Sequence, residues 1–590
     1  MEKIDIRSIL NSKTPGLFHK YPDFAANMIV NFFKRFLKVD EINQFLETTS
    51  NIRGFDFIDS TFEMLNFSYN LSTKDKEKIP SEGRLIIVAN HPLGGLDGLA
   101  LLKAIGEVRK DVKVVANDVL QNLENLSELL IPLDIYSLTK QKKQILSIEN
   151  ALAEEQAIIL FPAGMVSRLT HSGIQDLKWQ NGAIRFSSKL EVPILPVYVG
   201  GRNSMLFYLS SLINHNIGMF MLPQELFRKR NNSIDIKIGD VIPGNTFKTN
   251  NLKIKVQTKL LYQHTHKIGK NKTGIFNTEK TIIHPIDKKL LKSELNQSQL
   301  LGNTFDGMKI FLAEHSSAPN ILKEIARLRE LTFRKVGEGT GKTFDMDIYD
   351  LYYKHIVLWD EDELEIVGSY RLGITKDILD NYGPKGLYNS SQFTLSPRFL
   401  DIVQDSLEVG RSFIQQKYWR SNALDYIWQG IGAYLSQNSN IRYLWGAVSI
   451  SDTYPELAKA LIISYYNKWY RGDTSLVIPC MEYQISKKTA LESDDILTAD
   501  DHLKDFRNLK MALKNMGLSV PVLYRRYTDL TEYGGSKFIS FCVDVNFNNA
   551  IDGLILVDLS QLKDEVKERY YTQRSFVSSS VNEKGELLLL

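Results

Sequence analysis

Residues 88–98 read Val-Ala-Asn-His-Pro-Leu-Gly-Gly-Leu-Asp-Gly, and they join two apolar runs. The apolar run at residues 85–88 predicts a buried strand, and the run at residues 99–102 begins a helical pattern. His91 therefore follows a strand, with Asp97 beyond a glycine-rich turn. A neutral imidazole takes a proton from a hydroxyl when a carboxylate holds its other ring nitrogen, so His91 and Asp97 are candidate catalytic residues.

The glycines of the turn have a chemical interpretation of their own. Gly94 and Gly95 would let backbone N–H groups approach a reacting carbonyl closely, and Gly164 offers the same in a later motif. The alternative is a glycine-rich strand-to-helix turn that carries a histidine by chance.

Two further motifs follow in order. Residues 158–168 read Ile-Ile-Leu-Phe-Pro-Ala-Gly-Met-Val-Ser-Arg, and residues 192–199 read Val-Pro-Ile-Leu-Pro-Val-Tyr-Val. The ordered set resembles the glycerolipid (lysophospholipid) acyltransferase family across about residues 60–265. The resemblance implies His91 as general base on an acceptor hydroxyl and Asp97 as the residue that orients it. The substrate-binding positions implied are Asn90, Gly94, Gly95, Phe161, Pro162, Gly164, Ser167, Arg168 and Lys178.

The chain departs from this family at two positions. The family has four residues between the histidine and the aspartate, whereas five separate His91 from Asp97 here, and Gly94-Gly95 can absorb the extra residue. The family has glutamate where Ala163 stands, and that glutamate belongs to recognition of a phosphate-bearing glycerol acceptor. Its loss predicts an acceptor without glycerol phosphate.

Length and composition bound the class of protein. A chain of 590 residues holds about three to four domain-sized units. The sequence has no apolar run of a length that would cross a membrane, and residues 1–5 lack a signal core. Cys480 and Cys542 are too few for a disulfide framework or a metal cluster, and both are expected to be buried thiols in a reducing cytosol. No bound cofactor, metal or nucleic acid is expected.

The charge of +3 is unevenly divided, since residues 1–300 are net basic and residues 301–590 net acidic. A basic face suits an anionic membrane surface or an acidic acyl carrier protein, and a merely solvated face is the alternative. The apolar clusters at 205–212 and 218–223 precede the basic triplet 228–230, which favours peripheral docking on the cytoplasmic face of the inner membrane. The amphipathic stretch 24–37 fits core packing slightly better than a membrane interface.

The order of elements predicts an α/β fold class with two main domains. We expect a helical region at 1–80, a glycerolipid acyltransferase-like domain at 81–267, a linker with some local structure at 268–305 and an N-acyltransferase-like domain at 306–590. Predicted strands of the first domain are 84–89, 112–116, 157–161, 194–199 and 234–239, with helices near 96–107, 139–154 and 179–190.

The second domain has the order of an N-acetyltransferase-like mixed sheet: a helix at 321–333, strands near 353–359, 365–373 and 407–414, a helix at 421–437 and a strand at 441–449. Its charged residues resemble the set of acyl-homoserine-lactone synthases, which acylate an amine from an acyl carrier protein. The loop at 337–342 is glycine-rich instead of aromatic, so the lactone-specific acceptor is not implied. The matching positions are Arg329, Phe333, Asp347, Asp350, Arg371, Glu408 and Arg411.

A closer resemblance, over about residues 306–560, is to the haemolysin-like, ornithine-lipid N-acyltransferase family. It rests on residues 408–413, 520–527 and 544–555. Glu408 would accept the proton of the attacking amine, and Arg371 and Arg411 would hold the acceptor's carboxylate or a phosphopantetheine. The structural alternatives are an ion pair between Glu408 and Arg411 and a loop cap formed by Asp347 and Asp350.

The two domains together resemble bifunctional ornithine-lipid synthases. This implies N-acylation of an amino acid with a 3-hydroxyacyl chain. Ornithine is the expected amino acid, and glycine or another amino acid is equally open. O-acylation of the resulting lyso-aminolipid hydroxyl would follow, from acyl carrier protein or coenzyme A thioesters. The alternatives are a lysophospholipid acyltransferase with an accessory domain and a membrane-active haemolysin-like protein without catalysis.

Overall fold

The computed structural model describes residues 23–117, 123–133, 138–171, 173–213, 215–249, 251–498 and 500–572. The chain forms two compact units, residues 1–284 and 285–590. Residues 1–5, on which the expectation about a signal segment rests, lie outside the described part. No helix within those ranges is long and apolar enough to cross a lipid bilayer.

The first unit combines helices with one main sheet and a small hairpin. Its helices are α1 Asp23–Phe36, α2 Val39–Thr48, α3 Gly54–Leu65, α4 Thr73–Lys76, α5 Gly95–Gly106, α6 Leu138–Ala153, α7 Gly182–Leu190, α8 Met205–Ile213, α9 His215–Arg228, α10 Asn245–Thr249 and α11 Ile254–Gly269. Its strands are β1 Ser68–Asn70, β2 Leu85–Ala89, β3 Val112–Asn117, β4 Leu130–Leu133, β5 Ala157–Leu160, β6 Arg168–Thr170, β7 Gly173–Gln175, β8 Ile194–Val199 and β9 Ser233–Ile238.

The main sheet has the strand order β1-β9-β8-β2-β5-β3-β4. Strand β2 lies at its centre and pairs in parallel with β5 and β8, so that Ile87 stands opposite Ile159 and Leu195. All five residues of β2 are buried, as expected of a parallel strand that is covered on both faces. Because the carboxyl ends of β2, β5 and β8 meet at one edge, the motifs that follow β2 and β5 come together there.

Helices cover both faces of this sheet. Leu85, Ile87 and Ala89 pack in one apolar cluster with residues of α3 and α5. Ile86 and Val88 pack on the opposite face with residues of α6, α7 and α11. This alternation confirms the predicted α/β class, and the five predicted strands occur within about two residues of their expected positions.

The second unit is built on a larger sheet. Its helices are α12 Lys288–Leu295, α13 Pro319–Lys335, α14 Thr375–Tyr382, α15 Pro397–Ile402, α16 Ala423–Gln437, α17 Glu456–Trp469, α18 Lys487–Ile496, α19 His502–Asn515, α20 Val522–Asp529 and α21 Asp564–Lys567. Its strands are β10 Gln299–Asn303, β11 Lys309–Glu314, β12 Lys354–Asp360, β13 Glu365–Ile374, β14 Phe393–Leu395, β15 Ser406–Ile414, β16 Tyr443–Ile450, β17 Val477–Pro479, β18 Ser536–Asp544 and β19 Ala550–Asp558.

The large sheet has the order β10-β11-β12-β13-β15-β16-β19-β18. Neighbouring strands are antiparallel except β15 and β16, which run in parallel. Their backbone pairing covers three positions and ends where Glu408 stands opposite Trp445. The last six residues of β15 and the last five of β16 therefore continue beyond the paired segment.

Several elements of this unit were not predicted. Strand β10 lies within the range expected to be a linker and forms the edge of the large sheet, and β18 and β19 form a hairpin on the opposite edge. Cys542 is buried as expected, but the expectation of a buried Cys480 is wrong. Cys480 is exposed because it follows β17, a three-residue strand outside the main sheet.

The central strand β2 supplies a stability prediction. Ile87→Ala removes a side chain that is 0% exposed and should lower the free energy of unfolding by about 2–5 kcal/mol. Ile145→Ala, at a position 44% exposed in α6, is the matched control and should change it by less than about 0.5 kcal/mol. Scanning calorimetry measures both, and equal shifts in the two variants would contradict the assigned core.

Candidate active sites

The first candidate site is the His91–Asp97 pair at the carboxyl edge of β2. The His91 Nδ1 atom lies 3.0 Å from Asp97 Oδ2. The His91 side chain is 17% exposed, whereas that of Asp97 is fully buried. With Nδ1–H donating to the carboxylate, Nε2 is left to accept a proton from a substrate hydroxyl.

The five-residue spacing is accommodated by the way helix α5 begins. Asp97 lies in the first turn of α5, and its Oδ2 also accepts hydrogen bonds from the N–H groups of Leu93 (2.8 Å) and Gly94 (3.0 Å). Gly94 adopts φ 98°, a conformation that favours glycine. A Cβ at this position would also stand 3.3 Å from the Leu222 side chain.

This turn limits which N–H groups can receive an oxyanion. The N–H of Gly94 is taken by Asp97, and that of Gly164 donates to the Phe161 carbonyl at 2.9 Å. Gly95, the third glycine proposed from the sequence, is exposed and is the first residue of α5. The first N–H groups of a helix have no partner within the helix, so Gly95 is the best placed of the three.

The second motif packs against the first. The Phe161 ring stacks on the His91 imidazole, with centroids 4.3 Å apart and planes inclined by 29°. The N–H of Ser167 donates to the His91 carbonyl at 2.8 Å, and the Ser167 hydroxyl donates to Asp176 Oδ1 at 2.5 Å. Asp176 also accepts from the N–H of His91 at 3.3 Å and from the Trp179 indole at 3.0 Å.

Asp176 is therefore a positioning residue that sequence reasoning missed. The available signal was a carboxylate between the predicted motifs at 158–168 and 192–199. Ser167, predicted to bind substrate, is buried and directed toward Asp176 rather than toward the His91 ring.

The other predicted residues of this site have varied positions. Asn90 joins β2 to β8 through paired hydrogen bonds with the Val199 backbone, at 2.8 and 2.7 Å. Pro162 is buried, and its carbonyl accepts from the N–H of Gln180 at 2.8 Å. Arg168 is buried and donates to the Ser211 hydroxyl at 2.7 Å, while Lys178 is exposed.

Helix α8 presents an apolar surface to solvent. Exposed fractions are 58% for Met205, 51% for Leu206, 50% for Leu209 and 61% for Leu212. We call these four residues the α8 patch. In helix α1, Val30 is buried while Met28 and Phe32 are 59% and 62% exposed, so core packing accounts for only one side of it.

The basic triplet near α9 is partly neutralised. Arg228 donates to Glu225 Oε1 at 3.1 Å, and Arg230 pairs with Glu41. Lys229 donates to the Arg202 carbonyl at 2.6 Å. The side chains of Met219 and Phe220, in the second predicted apolar cluster, lie outside the described part.

The second candidate site is an ion-pair network around Asp350. Arg329 of α13 donates two hydrogen bonds to its carboxylate, at 2.9 and 2.6 Å. Arg371 of β13 donates to Asp347 Oδ1 at 2.7 Å and to Asp350 Oδ1 at 3.1 Å. Burial opposes the charge of Asp350, yet the two guanidinium groups hold the pKa of this carboxyl well below its usual range.

Arg411 reaches the same region through a bulge in β15. Pairing with β13 shifts register where Arg371 faces Gly410 and Ser369 faces Phe413. Arg411 adopts φ 51° there. This left-handed backbone conformation is uncommon for a residue other than glycine, and within a strand it indicates functional strain. Its Nε lies 3.7 Å from an oxygen of Asp345.

Tyr388 connects the two arginines. Its ring centre is 4.8 Å from the Arg371 guanidinium carbon and 5.1 Å from that of Arg411. Neither Tyr388 nor Asp345 was predicted. The signal for Asp345 was its place two residues before Asp347 in one acidic motif, while Tyr388 lies in a segment without a recognisable pattern.

Glu408 occupies a different environment from the one expected. Its two carboxylate oxygens accept hydrogen bonds from the Tyr353 hydroxyl, the Tyr388 N–H, the Asn389 N–H and the Asn389 side chain. Burial raises the pKa of Glu408. A proton acceptor needs an oxygen that faces the amine, whereas these oxygens face the loop at 388–389. Its geometry therefore favours a positioning role.

Comparison with known proteins gives each unit its own relatives. An acyltransferase family model matches residues 8–270, and an acetyltransferase (GNAT) domain model matches residues 328–429. A glycine N(alpha)-acyltransferase of Bacteroides thetaiotaomicron is 29% identical over 311 residues, which are 50% of this chain and 91% of the relative.

Two further relatives complete the comparison. A lyso-glycine lipid O-acyltransferase of the same organism is 35% identical over 252 residues, which are 41% of this chain and 90% of the relative. An L-ornithine N(alpha)-acyltransferase of Agrobacterium fabrum is 27% identical over 157 residues, 25% of this chain and 52% of the relative. These matches confirm the predicted pairing of an acyltransferase domain with a GNAT-like domain. The chain thus belongs to the acyltransferase family that includes the lyso-glycine lipid O-acyltransferases, and it carries a GNAT-like acyltransferase domain in the same polypeptide.

Proposed function

We propose that this chain makes an aminolipid by two consecutive acyl transfers. The GNAT-like domain N-acylates an amino acid with a 3-hydroxyacyl chain, and the first domain then acylates the new 3-hydroxyl group. The observation that carries the proposal is the fusion itself. One polypeptide aligns with an N-acyltransferase over 91% and with an O-acyltransferase over 90% of their separate lengths.

In the O-acylation, His91 Nε2 takes the proton of the lyso-lipid hydroxyl while Asp97 holds Nδ1–H. The oxygen attacks the thioester carbonyl, a C–O bond forms and the C–S bond breaks. The leaving thiol takes its proton from the imidazolium, so no covalent enzyme intermediate is required. The buried Ala163, in place of a glutamate, supports an acceptor without glycerol phosphate.

In the N-acylation, Arg371 and Arg411 bind the carboxylate of the amino acid over the ring of Tyr388. Glu408 positions the loop that carries Tyr388 and Asn389. Glycine is our proposed acceptor because the glycine relative aligns over nearly its whole length. Ornithine, favoured by the sequence alone, is the alternative that product analysis distinguishes. The donor is a thioester of an acyl carrier protein or of coenzyme A.

His91 and Asp97 provide the direct test of the two-step reaction. His91→Ala and Asp97→Asn should lower the O-acylation rate by about 10²–10⁴-fold, because general base catalysis is lost. Expression in a host without aminolipids should then give the mono-acylated amino acid in place of the double-acylated lipid, as seen by mass spectrometry.

The control variant is His171→Ala, since His171 is exposed in the turn after β6. Full conversion to double-acylated lipid by His91→Ala would refute the assignment of this site. A new glycerolipid without any aminolipid would favour the lysophospholipid acyltransferase alternative, and cell lysis without new lipid would favour the haemolysin-like one.

Glu408→Gln tests the positioning role separately. The variant should raise the KM for the amino acid while the pH dependence of N-acylation keeps its shape, because the proton acceptor is another group. A pH profile that loses its ascending limb in the variant would restore Glu408 as the proton acceptor.

We propose that the α8 patch docks the enzyme on a lipid surface as a peripheral membrane protein. Four large apolar side chains lie on one helix, and acyl chains of the product must pass into a bilayer. Burying an exposed leucine contributes about 1.5–3 kcal/mol. The pairing of Arg228 and Arg230 with carboxylates supports an apolar rather than an electrostatic contact.

Leu206→Ser/Leu209→Ser should lower binding to phosphatidylethanolamine–phosphatidylglycerol vesicles by about tenfold or more, measured by flotation. Leu491→Ser/Leu503→Ser, at positions 68% and 59% exposed, is the matched control and should bind as the wild type does. Equal loss of vesicle binding in both double variants, or no loss in either of them, would contradict docking through α8.

A further inference from the structure

A group of carboxyl side chains in the second unit lies outside the Asp350 network. Glu338, Asp544 and Asp552 are 9%, 5% and 5% exposed, and we call them the carboxyl cluster. Gln392 Nε2 donates to Asp544 Oδ2 at 2.5 Å and to Asp552 Oδ2 at 2.7 Å. Since both oxygens contact the same nitrogen, these two carboxyl groups lie close together.

The carboxyl cluster lies next to the segment where β15 and β16 are no longer paired. Asp552 of β19 stands opposite Ser449 of β16, four residues beyond the last paired position, Trp445. Glu338 and Asp552 both interact electrostatically with Arg411, and Glu338 also interacts with the Ser449 side chain. The carboxyl cluster, from β18, β19 and the loop after α13, therefore borders the same segment as Arg411 of β15.

No direct ion pair neutralises the carboxyl cluster in the described part of the chain. The salt bridges of the neighbouring arginines go instead to Asp345, Asp347 and Asp350. Burial and the neighbouring Asp544 raise the pKa of Asp552 to about 8, and burial raises that of Glu338 to about 7. A buried carboxylate of this kind is stabilised when a cation binds beside it.

Gln392, beside the carboxyl cluster, and Arg371, in the Asp350 network, each have an unused hydrogen-bonding atom. Gln392 is 6% exposed, and its Oε1 has no hydrogen-bond partner in the part of the chain that the structure describes. Arg371 is 1% exposed, and its Nη2 likewise has no partner there. Tyr388 interacts electrostatically with both arginines and with Asp544 and Asp552. Tyr388 thus neighbours both the arginines and the two aspartates.

We propose that the carboxyl cluster, with Asp552 at its centre, binds the α-ammonium group of the acceptor amino acid and removes its proton. The inference rests on the proposed N-acylation and deepens it. Arg371 and Arg411 supply the complementary end for the α-carboxylate. A pocket with both charges recognises a zwitterion and discriminates against simple amines and simple carboxylic acids.

N-acylation removes two protons from the nitrogen of the ammonium group. The ammonium gives one proton to the Asp552 carboxylate, and the neutral amine attacks the thioester carbonyl. The C–N bond forms, the C–S bond breaks, and the thiol leaves with the second proton from nitrogen. Asp552 then releases its proton to solvent, so each turnover produces one amide, one thiol and one proton.

The test is Asp552→Asn in the full-length chain, assayed for N-acylation against glycine at saturating 3-hydroxyacyl thioester. We expect kcat/KM for glycine to fall by about 100-fold or more, with the KM for the thioester unchanged. Inhibition by N-acetylglycine, which keeps the carboxylate and lacks the ammonium, should be as strong as in the wild type. Asp558→Asn, further along β19, is the matched control and should behave as the wild type.

The outcomes separate the two proposals. If Asp552→Asn keeps the wild-type kcat/KM for glycine, this inference is overturned while the proposed N-acylation stands. Weaker inhibition of a folded Asp552→Asn variant by N-acetylglycine has the same meaning. If Asp552→Asn does not fold, Asp544→Asn takes its place, and unchanged kinetics there have the same meaning. A wild-type chain that acylates no amino acid overturns the proposed function itself.

Discussion

A charged side chain that leaves water needs an opposite charge or a full set of hydrogen bonds, and both sites of this chain depend on that constraint. Asp97 is fully buried, and one of its oxygens accepts from the His91 ring and from two backbone N–H groups. The same contacts fix the turn, begin helix α5 and orient the imidazole. The geometry of the proposed site and the local fold therefore depend on the same contacts. The extra residue between His91 and Asp97 fits because Gly94 takes a conformation that glycine favours.

The two proposed sites must remove protons from different groups, a hydroxyl in the first domain and an ammonium in the second. A hydroxyl arrives neutral and needs a base with a free lone pair, which an unprotonated imidazole provides. An α-amino group arrives as a cation, so it needs an anionic environment before it can become a nucleophile. The Asp350 network is already neutralised by Arg329 and Arg371, whereas the carboxyl cluster is not. This difference is why we assign the amine to the carboxyl cluster and the carboxylate to the arginines.

The sequence predicted most of the first site because its residues are close along the chain. His91 and Asp97 are six positions apart, and the strand before them has an unbroken apolar run. The second site was predicted only in part. Its arginines and aspartates lie in recognisable motifs, but the direction of the Glu408 carboxylate depends on the loop at 388–389. The contact of Gln392 with Asp552 joins residues 160 positions apart, and no local pattern indicates it.

Aminolipid synthesis in two steps requires that the product of the second domain is the substrate of the first. The most direct measurement is a time course of radiolabelled glycine with the purified full-length chain, a 3-hydroxyacyl thioester, a second acyl thioester and lipid vesicles. We expect label to enter the mono-acylated lipid without delay and then to pass, after a lag, into the double-acylated lipid. Label that accumulates in the mono-acylated lipid and never moves further, or that enters no lipid, would contradict this order of reactions.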